Sequence, residues 1–250
     1  SIGNFRQRRG SDASTPDCLT VPVPSFPLTL LSGGVEDSDR EIDCIESMKE
    51  DFVNENTGKE LLEFLADFAS DFEQNSENGH GVISFGETYR YNGARAVTPT
   101  SKTLPDALKG VVDSIKELYP DSVINQCLVN RFLDKDAILP QHSDNEATIV
   151  HGSNIFTLSV GETRNVTFRR NIDGKEVVKA IPGNSLYVMT RASQNHWTHR
   201  LDPSPTPCQV RYSITFRYVS NHNKNSTVII GDSNTRFLKF GSGKRTFGDK

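Results

Sequence analysis

Apolar positions change period along this chain, and the changes mark its elements. Between residues 57 and 68, Leu61, Leu62, Phe64, Leu65 and Phe68 recur at helical spacing, with Thr57 placed to cap the first turn. Residues 39–53 form a weaker helix candidate. A second clear helix is predicted over 104–119, where Leu104, Leu108, Val111, Ile115 and Leu118 follow alternating four- and three-residue steps. Both clear helices present one apolar stripe and read as braces against a sheet. Between them, residues 81–93 read as a strand that puts Tyr89 and Tyr91 on one face and ends in an Asn92-Gly93 turn. After residue 123 the period settles near two. Short strands are predicted over 124–132, 153–162, 165–170, 176–181, 185–190, 196–201 and 209–219, punctuated by Gly174 and by Pro182-Gly183-Asn184. The fold class is therefore mainly β with flanking helices, and many short strands at this spacing indicate a double-stranded β-helix, or jelly roll.

The two ends have a different character. Residues 1–39 are rich in Ser, Gly, Pro, Arg and Asp and are expected to be a disordered tail, with Arg6, Arg8 and Arg9 solvated. Residues 40–80 then form a helical extension, residues 81–221 the jelly-roll domain, and residues 222–250 a separate tail. With 250 residues and 35% hydrophobic content, the chain holds one well-cored domain plus tails. The absence of an initial Met suggests an excised fragment.

Charge and cysteines narrow the function. A net charge of -4 supplies no global basic field, so any nucleic-acid partner must be held by local groups and stacking. Cys18, Cys44, Cys127 and Cys208 contain no Cys-x-x-Cys pair, which argues against zinc and for a reducing compartment. No apolar run of transmembrane length and no signal peptide is read in the sequence. The expectation is a soluble, monomeric, intracellular protein of the cytoplasm or nucleus, with no membrane partner.

The candidate chemistry lies between residues 139 and 217. His142-Ser143-Asp144 places an imidazole and a carboxylate two residues apart, on one side of an extended segment. A second imidazole comes from His196-Trp197-Thr198-His199, where either histidine is available. Two imidazoles and one carboxylate on one face of a metal, with the opposite positions open, make the facial triad of non-haem Fe(II) oxygenases. His80, His151 and His222 lack such context and read as surface residues. In the last strand Arg211 and Arg217 share a face with Ser213 and Thr215. Six residues of strand separate the two arginines by roughly 20 Å. They cannot both grip one small carboxylate head-on, so one clamps it and the other supports.

These residues together resemble the AlkB family of Fe(II)/2-oxoglutarate dioxygenases, which oxidatively remove alkyl groups from nucleic-acid bases. The similarity is to the versions found in animal nuclear repair enzymes and plant RNA-virus replicases, and it covers about residues 81–220. It is carried by His142-x-Asp144-x-Glu146, then Leu158-Ser159-Val160-Gly161 with Arg164, then His196-Trp197-x-His199, then Arg211-x5-Arg217, in that order. The resemblance implies Fe(II) bound by His142, Asp144 and His199, with His196 excluded. It implies a 2-oxoglutarate pocket built from Asn130, Phe132, Arg211, Thr215 and Arg217, in which Arg211 is the salt-bridging arginine. Tyr89 and Tyr91 would belong to a substrate lid, Glu146 would contact the damaged base, Trp197 would wall the pocket, and Arg164 would reach phosphate or base. Three departures stand out: Thr198 replaces a Tyr, Phe132 replaces the Tyr of the family's Asn-x-Tyr, and Ser213 replaces a frequent Asn. The last two each remove a polar contact from the expected 2-oxoglutarate pocket.

The implied reaction consumes O2 and 2-oxoglutarate and hydroxylates an alkyl carbon on a base nitrogen; the hemiaminal then releases an aldehyde. N1-methyladenine and N3-methylcytosine, in RNA or DNA, are the expected lesions. A 2-oxoglutarate hydroxylase of protein or a small molecule is a second reading on the same barrel. A catalytically inactive nucleic-acid-binding module is a third. In the C-terminal tail, residues 227–235 resemble the first block of SGNH hydrolases, which suggests a piece of a larger polyprotein. Gly241-Ser242-Gly243-Lys244-Arg245 is not a phosphate loop, because Leu238 stands where the first Gly is required.

Overall fold

A computed structural model of the chain describes residues 42–75, 78–91 and 95–220. The expected N-terminal tail, the Asn92-Gly93 turn and the tail after residue 221 lie outside the described residues. The elements run β1 (Ser47–Lys49), α1 (Glu55–Asp67), β2 (Glu73–Asn75), β3 (His80–Gly86), β4 (Tyr89–Tyr91), β5 (Arg95–Val97), α2 (Asp106–Leu118) and β6 (Gln126–Phe132). They continue with β7 (Leu139–His142), β8 (Ile155–Gly161), β9 (Arg164–Arg170), β10 (Glu176–Ile181), β11 (Leu186–Met189), α3 (Arg191–His196), β12 (Trp197–Leu201) and β13 (Arg211–Arg217). Among the described residues, no helix is long and apolar enough to cross a membrane.

Two antiparallel sheets form the jelly roll. The major sheet has seven strands in the order β1-β11-β8-β13-β6-β3-β2, and the minor sheet has four in the order β10-β9-β12-β7. Along β13 the side chains alternate strictly. Tyr212, Ile214 and Phe216 join a core cluster with Leu61, Leu65, Leu108, Val111 and Ile115, and so face α1 and α2. Arg211, Ser213, Thr215 and Arg217 take the opposite face, and all seven residues of β13 are buried. β6, β8 and β11 repeat the pattern, with Leu128, Phe132, Ile155, Tyr187 and Met189 in a second cluster that also takes Val166, Phe168, Ile181, Trp197 and Leu201 from the minor sheet. The helices thus cover one face of the major sheet and leave the other to build a site under the minor sheet.

Several expectations need correction. The helix at residue 57 starts earlier: Asn54 is the N-cap, its side chain accepting the Thr57 N–H at 3.0 Å. Residues 47–49 are a strand, since Ser47, Met48 and Lys49 find backbone partners in Val188, Tyr187 and Leu186 at an open sheet edge. Residues 81–93 divide into β3 and β4, because Gly86 turns at φ +85 and a Cβ there would strike the Asn125 carbonyl. Residues 191–196 form α3, with the Thr190 side chain accepting the Ser193 N–H, so the expected strand begins at Trp197. Leu118 is 46% exposed, and Tyr119 packs in its place, 5.1 Å from the Phe156 ring.

Because Ile214 is fully buried between sheet and helices, Ile214→Ala is expected to cost about 2–5 kcal/mol, and Ile214→Val about 0.5–1.5. Val178, at 57% exposure on β10, should tolerate Ala within about 0.5 kcal/mol. Urea unfolding checks the ordering; equal losses at the two positions would contradict this layering.

Candidate metal centre

His142 ends β7 and His199 lies directly across from it on β12. This cross-strand pairing brings their rings to 4.3 Å between centroids, at an interplanar angle of 51°. Asp144, two residues past the end of β7, turns its carboxylate to the same point, with Oδ1 3.7 Å from His142 Nε2. The ligand atoms of His142, Asp144 and His199 all lie within 4.8 Å of one another, a group able to hold a metal ion. His196 is exposed at the end of α3, where its Nδ1 bonds the Ala192 carbonyl. The choice between the two histidines therefore falls to His199.

Each ligand is oriented from behind. Pro140 O lies 2.8 Å from His142 Nδ1 and fixes that ring. The backbone N–H of Asp144 donates to Gln194 Oε1 at 2.7 Å, and Gln194 Nε2 rests on Met189 Sδ at 3.1 Å. Asp144 Oδ2 accepts from Arg217 Nη2 at 2.7 Å, with both side chains 3% exposed. Arg217 in turn lies 4.6 Å from the centroid of the Tyr89 ring and bonds Gln126 Oε1 at 3.5 Å.

The electrostatics follow from this packing. Burial alone would raise the Asp144 carboxyl, but Arg217, then His142 and His199, pull it down to about 2. Burial, then His142, pushes His199 down to about 3, so it stays neutral and able to ligate. Asp144 Oδ1 and His199 Nδ1 are buried without a hydrogen-bond partner. An ionised carboxylate and a neutral His199 imidazole, each with an atom left over, suit a divalent cation. Two N donors and one O donor fit Fe(II) with open positions.

Beside the triad runs a polar cavity lined by Asn130, Leu139, Thr157, Val166, Tyr187, Leu201, Ser213, Thr215 and Arg217. Asn130, Thr215 and Arg217 thus stand together next to the candidate ligands. Phe132 does not line the cavity. It is fully buried opposite Arg211 in the β6–β13 register, 5.9 Å from the His80 ring. Arg211 is also fully buried, and its Nη1 donates to the carbonyls of Glu162 and Ile181, each at 3.0 Å. Its Nε and Nη2 have no partner, which suits an incoming carboxylate. Burial lowers this guanidinium to about 10, still charged at neutral pH.

The expected substrate residues fare differently. Glu146 is 9% exposed and neighbours both Tyr89 and Arg217. Tyr89 is fully buried beneath Arg217, so its ring face is not open to a base. The side chain of Tyr91 lies outside the described residues. Arg164 is 2% exposed and its guanidinium serves the carbonyls of Asp134, Ala137 and Asp202 at 3.2, 2.8 and 2.6 Å, so it locks a loop to the end of β12 and does not reach phosphate or base. Trp197 is 4% exposed, donates Nε1 to the Ile42 carbonyl at 2.7 Å, and is not among the residues that line the cavity. His80 is not a surface residue: it is 5% exposed, and burial, then His142, lowers its pKa. Gln194, Gln126, Thr157 and Tyr187 were not expected at the site. Period-two alternation in Leu186-Tyr187-Val188-Met189 does carry the signal for Tyr187, whereas α3 hides Gln194.

Comparison with known proteins agrees with this arrangement. Residues 69–217 match the profile of the 2OG-Fe(II) oxygenase superfamily. The chain is 29% identical over 152 residues to the DNA oxidative demethylase ALKBH2 of Bos taurus, across 58% of this chain and 53% of that protein. It is 31% identical over 142 residues to the ALKBH2 of Mus musculus, across 54% of this chain and 58% of that one. The chain thus spans about half the length of these relatives. The solved structure of OsALKBH1 superposes with a TM-score of 0.51 at 14% identity, covering 69% of this chain and 97% of that one, which supports the fold.

Two outcomes are expected. Asp144→Ala leaves Arg217 buried and unpaired, so it should abolish metal binding and cost about 3–5 kcal/mol. Asp144→Ala with Arg217→Met should regain stability without regaining metal, and His196→Ala should leave metal stoichiometry unchanged. Equal metal loss in Asp144→Ala and His196→Ala would sink the assignment. In the metal-free protein His199 titrates near 3 folded and near ~6.5 unfolded. The unfolded chain then binds more protons between those values, so stability falls as pH drops through that window. His80 acts in the same direction. Thermal melts of chelator-treated protein from about pH 8 to 5 should slope downward, and His199→Asn should flatten the slope; matching slopes in the two proteins would contradict this account.

Proposed function

The chain belongs to the 2OG-Fe(II) oxygenase superfamily, and from that premise we propose that it removes methyl groups oxidatively from cationic bases, chiefly N1-methyladenine and N3-methylcytosine in single-stranded nucleic acid. It is an AlkB-like dioxygenase whose metal and co-substrate are Fe(II) and 2-oxoglutarate. The observation that carries the reading is the convergence of His142, Asp144 and His199 beside a polar cavity; Glu146, two residues beyond the metal ligand, is buried near Tyr89 and Arg217. When bound, Fe(II) would let O2 act as the oxidant for hydroxylating an alkyl carbon, with 2-oxoglutarate, decarboxylated to succinate, supplying the other two electrons that O2 takes up.

The chain's own residues hold and select. Arg217 keeps Asp144 ionised and aimed, while Gln194 fixes its backbone. Arg211 has two buried donors ready for a carboxylate. Glu146 favours a base that alkylation has made cationic, which a neutral base does not match. N1-methyladenine and N3-methylcytosine have also lost their Watson–Crick edge, so they leave a stack cheaply. A net charge of -4 gives little general hold on a duplex. The naming of the ALKBH2 relatives as DNA demethylases supports nucleic acid as the substrate class.

Incubation with Fe(II), 2-oxoglutarate and a panel of methylated and unmethylated single- and double-stranded DNA and RNA oligonucleotides tests this, scored by loss of a methyl mass. The two cationic lesions should react fastest in single strands, and Glu146→Gln should reduce the preference for them by about tenfold or more, the scale of a charge-assisted contact. Succinate formation with no methyl loss from any oligonucleotide would point to a protein or small-molecule hydroxylase instead. No succinate at all would point to a binding module.

A further inference from the structure

The major sheet carries a hydroxyl where the chain's own pocket sequence lacks one. Phe132 sits directly across from Arg211 and offers that guanidinium nothing. Tyr187, on β11, points to the same inner face and lines the metal-side cavity at 5% exposure. It is in register with Thr157 on β8, and Thr157 with Thr215 on β13. The hydroxyls of Thr157 and Thr215 lie 3.3 Å apart, so a row of three hydroxyl side chains crosses the sheet beside the metal ligands.

Arg211 lies on the same inner face of β13, two residues from Ser213, which lines the cavity, and four from Thr215. It is fully buried, its Nη1 is used by the carbonyls of Glu162 and Ile181, and its Nε and Nη2 have no partner. Of the charged groups acting on the Tyr187 hydroxyl, Arg211 is the strongest, and Thr157 is its hydrogen-bonding neighbour. Burial raises the Tyr187 hydroxyl, so it keeps its proton and can donate. An unpaired guanidinium edge on the same inner sheet face as a phenolic donor that lines the cavity makes a carboxylate site.

We propose that Tyr187, together with Arg211, binds the carboxylate of 2-oxoglutarate farthest from the metal, supplying the hydroxyl that Phe132 cannot. The inference rests on the oxygenase reading above and deepens it. It makes Tyr187 the residue that separates a dicarboxylic 2-oxo acid from a monocarboxylic one, because only the former has a second carboxylate to accept its hydrogen bond. Thr157 holds the phenol in line, and Thr215 carries the row toward Arg217 and the metal ligands.

The test is titration calorimetry on the full chain loaded with Mn(II), which keeps the site filled without turnover. Two ligands are compared: 2-oxoglutarate, and 2-oxobutyrate, which has the same 2-oxo acid head but no far carboxylate. Tyr187→Phe preserves the ring and should weaken 2-oxoglutarate by about ten- to a hundredfold, the scale of a hydrogen bond to a charged group, while leaving 2-oxobutyrate affinity unchanged. Adding Phe132→Tyr to that variant should recover most of the loss. If Tyr187→Phe leaves 2-oxoglutarate affinity unchanged, or weakens both acids alike, the assignment of Tyr187 is overturned while the oxygenase reading stands. A wild-type protein that binds neither acid overturns both.

Discussion

The site depends on an ion pair buried between two sheets. Arg217 and Asp144 meet at 2.7 Å with both side chains 3% exposed, and such a pair returns its desolvation cost only when the remaining atoms are satisfied. Here all but Arg217 Nε and one Asp144 oxygen are shared out. Arg217 lies over the ring of Tyr89 and bonds Gln126, and the Asp144 backbone is held by Gln194. One carboxylate oxygen remains, beside two imidazoles. The arrangement fixes which oxygen is offered to a metal, and it keeps the carboxylate ionised where burial would otherwise protonate it.

A sheet can carry such polarity inside only if its other face is strongly apolar. Tyr212, Ile214 and Phe216 of β13 pack with the helix residues Leu61, Leu65, Leu108 and Ile115, so the strand is anchored from behind. Ser213, Thr215 and the two arginines then stand on a rigid support. The minor sheet contributes His199 on β12 and, through its β7 edge, His142, so the ligands assemble within that sheet, and closing the two sheets on one another brings Arg217 onto Asp144. Fold and site are therefore one event: a strand slip of one residue would exchange the faces and bury the wrong set.

Much of this was legible in the sequence. Alternation gave the polar and apolar faces of β13, and the spacing of His142 and Asp144 gave a common side. The exceptions have identifiable physical causes. Arg164 was expected to reach phosphate or base, yet the carbonyls of Asp134, Ala137 and Asp202 claim it. Tyr89 looked like a lid aromatic, yet the guanidinium of a residue 128 positions later covers its ring. Gln194 sits in a one-and-a-half-turn helix too short to leave a periodic trace, and its role depends on Asp144, distant in sequence. What escaped the sequence is in each case a polar group whose partner is fixed by tertiary closure.

The same reasoning bears on the two arginines of β13, which share a face yet cannot be equivalent. Arg217 meets a carboxylate of the chain itself, and Asp144 is foremost among the groups that hold it charged against the opposing effect of burial. Arg211 meets only carbonyl oxygens on one nitrogen, and burial lowers it to about 10. A guanidinium buried so completely, with donors left over, is destabilising in isolation. Evolutionary preference need not be invoked to see its use: a carboxylate arriving from solvent relieves that cost on binding, whereas a carboxylate built into the chain would have filled the position permanently. The difference between a structural ion pair and a ligand clamp is therefore written in which of the two arginines was given its anion by the sequence.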